Sequence, residues 1–300
     1  MVDAIGMQTT AQRVPAPAPE PTCVNCGGHL VATFCAGCGQ RTPAAADYSL
    51  RTLFGAAIGH VTNYDARLLA TLRKLFFRPG QLARDHFEGR RAQHLDPFRI
   101  FVLSNVFAWF VVPHTHMFGF SMKVAPRLAQ FSGFWMRLVA LRARLAGVTV
   151  AELGRRIDAI SAAENSVAVL CLVPLAAAGF WLVLRGRGYR FVQHLVFTAH
   201  FYCIHFFCVL IYLGFVLRGL AAWCARHAWT APLAKPMVNI WWQHLAIAPA
   251  LIVYLYFGLQ RAYELTPRQS GWRALVLGVW ACTVTRMFFD VAFALVLIWA

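Results

Sequence analysis

Acidic residues are scarce in this chain. Twelve of 300 residues are Asp or Glu, against 28 Lys and Arg, and charged residues of both signs make up only 13%. A soluble domain carries about 25%. General acid–base pairs are hard to assemble from so few carboxylates. No G-x-S-x-G, P-loop, H-E-x-x-H or G-x-G-x-x-G run is present, which leaves the familiar nucleophile, phosphate-loop, zincin and dinucleotide chemistries without a foothold. Residues 1–22 lack the apolar run of a signal peptide. An enzyme is therefore the less favoured expectation, and no catalytic residue is assigned.

Apolar residues are abundant instead, at 59% of the chain with a mean hydropathy of +0.55. A membrane span needs about 20 mainly apolar residues. Five stretches fit, at about 98–113, 167–184, 194–217, 240–259 and 274–300. Asp96 and Pro97 suit the N-cap and first turn of the first, and Pro174 and Pro249 are expected to kink the second and fourth. Between spans one and two, Arg127 to Leu145 alternates apolar and basic residues like a helix lying in the headgroup plane. Thr149 and Glu152 fit the start of a second short helix there. Arg78-Pro79-Gly80 is a helix stop.

The surplus of cations flanks these apolar stretches. Arg67, Arg73, Lys74, Arg78, Arg84, Arg90 and Arg91 precede the first, and Arg185, Arg187 and Arg190 join the second to the third. Basic residues in short loops face the cytoplasm and meet anionic lipid headgroups. The expected topology is multi-pass, with a cytoplasmic N-terminus.

Four cysteines precede the apolar region. Cys23-Val-Asn-Cys26 and Cys35-Ala-Gly-Cys38 are two C-x-x-C knuckles, each followed by a glycine. Two knuckles supply four thiolates at the spacing a closed structural Zn²⁺ site prefers. A redox dithiol needs one C-x-x-C and usually a βαβ context, which is absent. One structural zinc ion held by Cys23, Cys26, Cys35 and Cys38 is expected. Within the ribbon, Arg41 is the single Lys or Arg, too little for phosphate-backbone contacts, so nucleic acid is not an expected partner. The bilayer, anionic headgroups and a cytoplasmic protein docked on the ribbon are. The resulting layout is a disordered Pro-rich tail (1–21), a zinc ribbon (22–42), cytoplasmic amphipathic helices (43–96) and a transmembrane domain (97–300). The fold class is an all-α polytopic membrane protein of about five transmembrane helices with a small N-terminal four-cysteine zinc ribbon in front.

Polar residues inside the apolar stretches are the remaining candidates. Arg286 and Asp290 lie four apart near the middle of the fifth span, one helical turn from each other. His194 and His205 share a face of the third, and His200 lies off it. Such groups pair structurally or line an ion or proton path. A transporter or channel using His200, His205, Arg286 and Asp290 is one alternative to a docking or regulatory protein; an intramembrane enzyme is another.

The block Asp65–Gly80, then Gly89-Arg90-Arg91 and Pro97-Phe98-Arg99, resembles a bacterial family of uncharacterised membrane proteins. So do Phe191–Tyr202 and Tyr254–Tyr263. Members carry an N-terminal zinc ribbon and a membrane domain of unknown function. The resemblance implies a bacterial inner-membrane location and no particular activity.

Overall fold

The computed structural model describes residues 22–30, 33–41, 67–115, 133–208, 216, 218–227, 229 and 240–300. Expectations for the tail, for 43–66 and for the end of span three lie outside these residues. The described residues form helices and no strand; two isolated bridges, Thr22 with His29 and Phe34 with Arg41, close the two knuckles.

Helix α1 (Arg67–Phe77) buries Thr71 and Leu75 and stops before Pro79-Gly80, as expected. Gly80 has φ +77° and opens α2 (Gln81–Phe87). A Cβ there would collide with the Gly258 carbonyl, so only glycine lets the two backbones meet. The hairpin is tied down further by Tyr254 Oη donating to the Leu75 carbonyl (3.2 Å) and Arg261 donating to the Pro79 carbonyl (2.9 Å). Helix α3 (Pro97–Thr115) starts where Asp96 Oδ1 accepts the Phe98 N–H (3.0 Å). In α3, Asn105 turns back to the Phe101 carbonyl of its own helix (3.1 Å).

Helix α4 (Gly133–Leu145) covers the basic amphipathic stretch. Its Val139 and Ala143 pack with Leu153, Ile157, Phe293, Val296 and Leu297 in a small second core, while Phe134, Leu141 and Leu145 stay exposed. Helix α5 runs unbroken from Val150 to Leu184, capped by Thr149, which accepts the Glu152 N–H (3.2 Å). The expected short helix and second span are thus one element. The polar Glu164 and Asn165 interrupt the apolar run, but no Gly or Pro interrupts the backbone there.

Helix α6 (Phe191–Cys208) is the centre of the main core; Leu195, Phe197, Phe201 and Tyr202 are at most 2% exposed. It is covered by α1 to α3, by α5, and by α8 (Ile240–Tyr263). Helix α7 (Arg218–Arg226) is short. Helix α9 (Pro267–Trp299) begins with a capping box between Thr266 and Gln269. Its end is sealed by Arg142, whose guanidinium donates to the Leu297 and Ile298 carbonyls (3.2 Å each), groups a helix terminus otherwise leaves orphaned. Trp280 lies over Gly179 and donates to the Ala176 carbonyl (3.1 Å).

Two helices, α6 and α9, are long and apolar enough to cross a membrane, by length and composition alone. They differ in setting. Helix α6 is enclosed by its neighbours, whereas α9 presents Leu275, Val279, Met287, Val291, Leu295 and Ile298 outward.

Candidate functional site: a metal-binding ribbon seated on a charged loop

The four expected cysteines converge. Cys23 and Cys38 sulfurs are 3.7 Å apart, Cys26 and Cys35 sulfurs 3.6 Å apart, and all four lie within 4.8 Å of one another. A tetrahedron with bonds of about 2.3 Å has edges of about 3.8 Å, so the group could hold one metal ion. Among the described residues it is the one such His/Cys/Asp/Glu group. Gly27 and Gly39 follow the knuckles at φ +77° and +69°. Backbone amides already favour thiolate. The Gln40 N–H pulls the Cys38 thiol down to about 7. At Cys26 the Gly28 N–H also lowers the pKa, but hydrogen bonds with Cys35 and Cys38 push it up to about 11.

Gln40 does more than line the second knuckle. Its carbonyl accepts the Cys35 N–H (2.8 Å). Its buried side chain then reaches out of the ribbon while Nε2 keeps one bond within it, to the Arg41 carbonyl (3.1 Å). Oε1 accepts the Ala92 N–H (2.7 Å) and the Arg91 N–H (3.1 Å), and Nε2 donates to the Gly89 carbonyl (2.9 Å). The amide therefore completes the loop after α2 as a missing strand would.

Beneath that loop sits Asp85, 3% exposed. Oδ2 accepts from Lys74 Nζ (2.9 Å), and Oδ1 accepts from Arg90 (2.8 Å) and Gln81 (2.8 Å). His94 Nε2 is 3.5 Å from Oδ2 and 2.7 Å from Lys74 Nζ. Burial alone would raise the carboxyl's pKa. Hydrogen bonds from His94, Lys74, Arg90 and Gln81 outweigh it and hold the group far below the usual carboxylate range. Arg90 also pairs with Glu88, which pairs with Arg84, which reaches Glu264 in the α8–α9 turn (2.8 Å). Thr71 Oγ1 accepts the Leu95 N–H (3.0 Å) and closes the loop's far end.

The polar residues of the apolar helices take separate places. His194 is buried and shares a hydrogen bond with Tyr263 (3.0 Å), its ring stacked on the phenol. His205 stacks on Tyr202, whose hydroxyl meets Thr285 of α9 (3.1 Å). His200 turns toward α2 and faces the loop region. Arg286 and Asp290 pair with each other at 2.8 Å and are each about one-third exposed (36% and 35%). Asp85, Gln40, His86 and His94 carry no periodic or motif signal. The one sequence cue is arithmetic: Asp85 and Glu88 are the two carboxylates between Lys74 and Arg90, in a strongly basic stretch.

A family described as "Protein of unknown function (DUF3667)" matches residues 65–109, the stretch that holds α1, α2, the charged loop and the start of α3. No curated protein and no solved structure matches the chain.

Proposed function

We propose that this chain is a non-enzymatic, multi-pass bacterial inner-membrane protein in which a zinc-loaded cytoplasmic ribbon locks the charged loop at the head of the helical bundle. The supporting observation is Gln40. One residue belongs to the metal knuckle through its backbone and to the 89–92 loop through its side chain. Losing the metal would release the knuckle and take the loop's hydrogen-bond partner with it. A closed four-thiolate site leaves no open metal position for chemistry, in keeping with a structural or regulatory role. Thiolate sets of this shape suit zinc or iron–sulfur iron, and the C-x-x-C pairs favour zinc.

The membrane assignment is supported by the outward face of α9 and by further exposed apolar residues on α5 and α8, among them Leu175, Trp181, Leu182, Val253 and Phe257. Soluble monomers rarely expose contiguous apolar patches beyond a few hundred Å². In the proposed arrangement α3, α5, α6, α8 and α9 cross the bilayer and the ribbon is cytoplasmic. Cysteine labels at residues 45 and 300, on a cysteine-free background outside the ribbon, should report opposite sides; labels on one side rule out five spans.

Metal analysis of purified protein tests the clasp. About one zinc per chain is expected. Chelation, or Cys26→Ser with Cys38→Ser, should abolish binding and expose the 88–96 loop to protease while the apolar helices stay inserted. A zinc-free wild type, or a loop equally protected without metal, rejects the reading.

A further inference from the structure

A cavity of about 200 Å³ opens beside the charged loop, between α1, α2, the start of α3 and His200 of α6. It is smaller than the roughly 300–1,000 Å³ of pockets for drug-sized ligands. Its wall is far from neutral. Arg67, Arg90, Arg91 and Arg99 reach it from four points along the chain. One carboxylate, Asp96, stands against them, and Asp96 already caps α3. Burial raises Asp96 above the usual carboxylate value, with the Phe98 N–H and the Arg91 and Arg99 charges opposing.

Three imidazoles complete the wall: His86, His94 and His200. They do not form a metal-binding group among the described residues. Burial holds His86 well below the ordinary imidazole value, so it meets a ligand as a neutral ring that can donate one hydrogen bond. His94 is half-buried, and its buried Nδ1 lacks a hydrogen-bond partner among the described residues.

Arg90 already pairs with Asp85 and Glu88, but Arg67, Arg91 and Arg99 share the wall with one carboxylate and the His86 ring, and this small concave site matches a compact, multiply charged oxyanion. Guanidinium forks recognise phosphate oxygens by paired hydrogen bonds. The site lies at the start of α3; on the proposed reading that α3 enters the bilayer, a phosphate in it would sit at headgroup depth. We infer that this cavity binds a phosphate group, delivered either by an anionic phospholipid headgroup or as a free phosphate. The inference does not depend on the ribbon's role, although Arg91 belongs to the loop that Gln40 holds.

The test uses the full chain in detergent and in nanodiscs, with inorganic phosphate and phosphatidylglycerol as the probes. Chloride at equal ionic strength and phosphatidylcholine are the references. The variant is Arg91→Gln with Arg99→Gln, and the control is Arg187→Gln, an exposed arginine bonded to Gln269. If the source is lipid, phosphatidylglycerol survives detergent washing on the wild type and the control, and retention falls about tenfold or more in the double variant. If the source is free phosphate, inorganic phosphate raises the melting temperature of the wild type and the control, and the double variant loses that response. Should the double variant fold poorly, phenylglyoxal mapping of the wild type takes its place: either probe should shield Arg91 and Arg99 and leave Arg187 reactive. Neither probe acting on the wild type overturns the proposal. So does an undiminished response in a folded double variant, or equal shielding of all three arginines.

Discussion

The Gln40 side-chain carbonyl accepts the backbone N–H of Ala92 at 2.7 Å, across 52 residues of sequence. The residue is 6% exposed, so water cannot replace the bond. Gln40→Ala should leave the metal site intact, because its contribution there is from the backbone. It should leave Gly89, Arg91 and Ala92 backbone groups unsatisfied, at a cost of about 1–3 kcal/mol. Thermal unfolding and limited proteolysis at 88–96 measure this. A variant that loses metal but keeps a protected loop contradicts the expected order.

Asp85 should make the loop acid-labile. Its folded pKa lies far below the unfolded value of about 3.9, so the stabilisation it gives is fully present above that value. It is lost as pH falls below about 4 toward the folded pKa. Melting temperatures from pH 6 to pH 3 should drop steeply for the wild type and less for Asp85→Asn. At pH 7 the variant should be less stable by about 1–3 kcal/mol, a figure reduced because Lys74 and Arg90 reach solvent. Parallel pH curves for the two proteins would assign the acid transition to another group.

Gly80 and Gly258 should respond unequally to alanine. Gly80→Ala strains a left-handed backbone by about 1–2 kcal/mol and drives a methyl into the Gly258 carbonyl. Gly258→Ala places its methyl 3.2 Å from the Phe197 ring, which can shift by a few tenths of an ångström. Detergent-resistant melting should therefore fall much further for Gly80→Ala. Equal losses would mean that the two backbones are not in contact.

Arg286 and Asp290 form a local pair on one helix. If their role is structural, replacing both with leucine leaves folding nearly unchanged, and replacing either alone destabilises by leaving a lone charge. A double replacement that unfolds the protein would place further partners on the pair.

Short-range chemistry is the part legible in the sequence. The C-x-x-C spacing, the Asp96-Pro97 start, the Thr149 cap and the Pro79-Gly80 stop act within four residues and are found where expected. Helix α5 misleads because Glu164 and Asn165 break an apolar run without breaking a helix. Gln40 and Asp85 are harder still. Gln40 bonds to residues 49 and 52 positions away, and Asp85 gathers Lys74, Gln81, Arg90 and His94 from both sides. A polar side chain gives no periodic sign of which distant amide it will meet. Histidines at helical spacing look alike in sequence, yet His194 serves a tyrosine, His205 a stacked ring and His200 a cavity wall.

The seam between the α1–α2 hairpin and α8 also sets a timetable for biogenesis. Leu75 and Pro79 wait for partners 179 and 182 residues downstream. At about 5–20 residues per second, the ribosome needs roughly 10–35 s to supply them. Through that interval the hairpin, its arginines and the ribbon above it stand without their floor. The metal knuckle, closed within 16 residues of chain from Cys23 to Cys38, can mature first and be ready when α8 arrives. An early-folding N-terminus thus meets a late-arriving helix, and the two glycines can touch only once residue 258 has been made, with α9 still to follow.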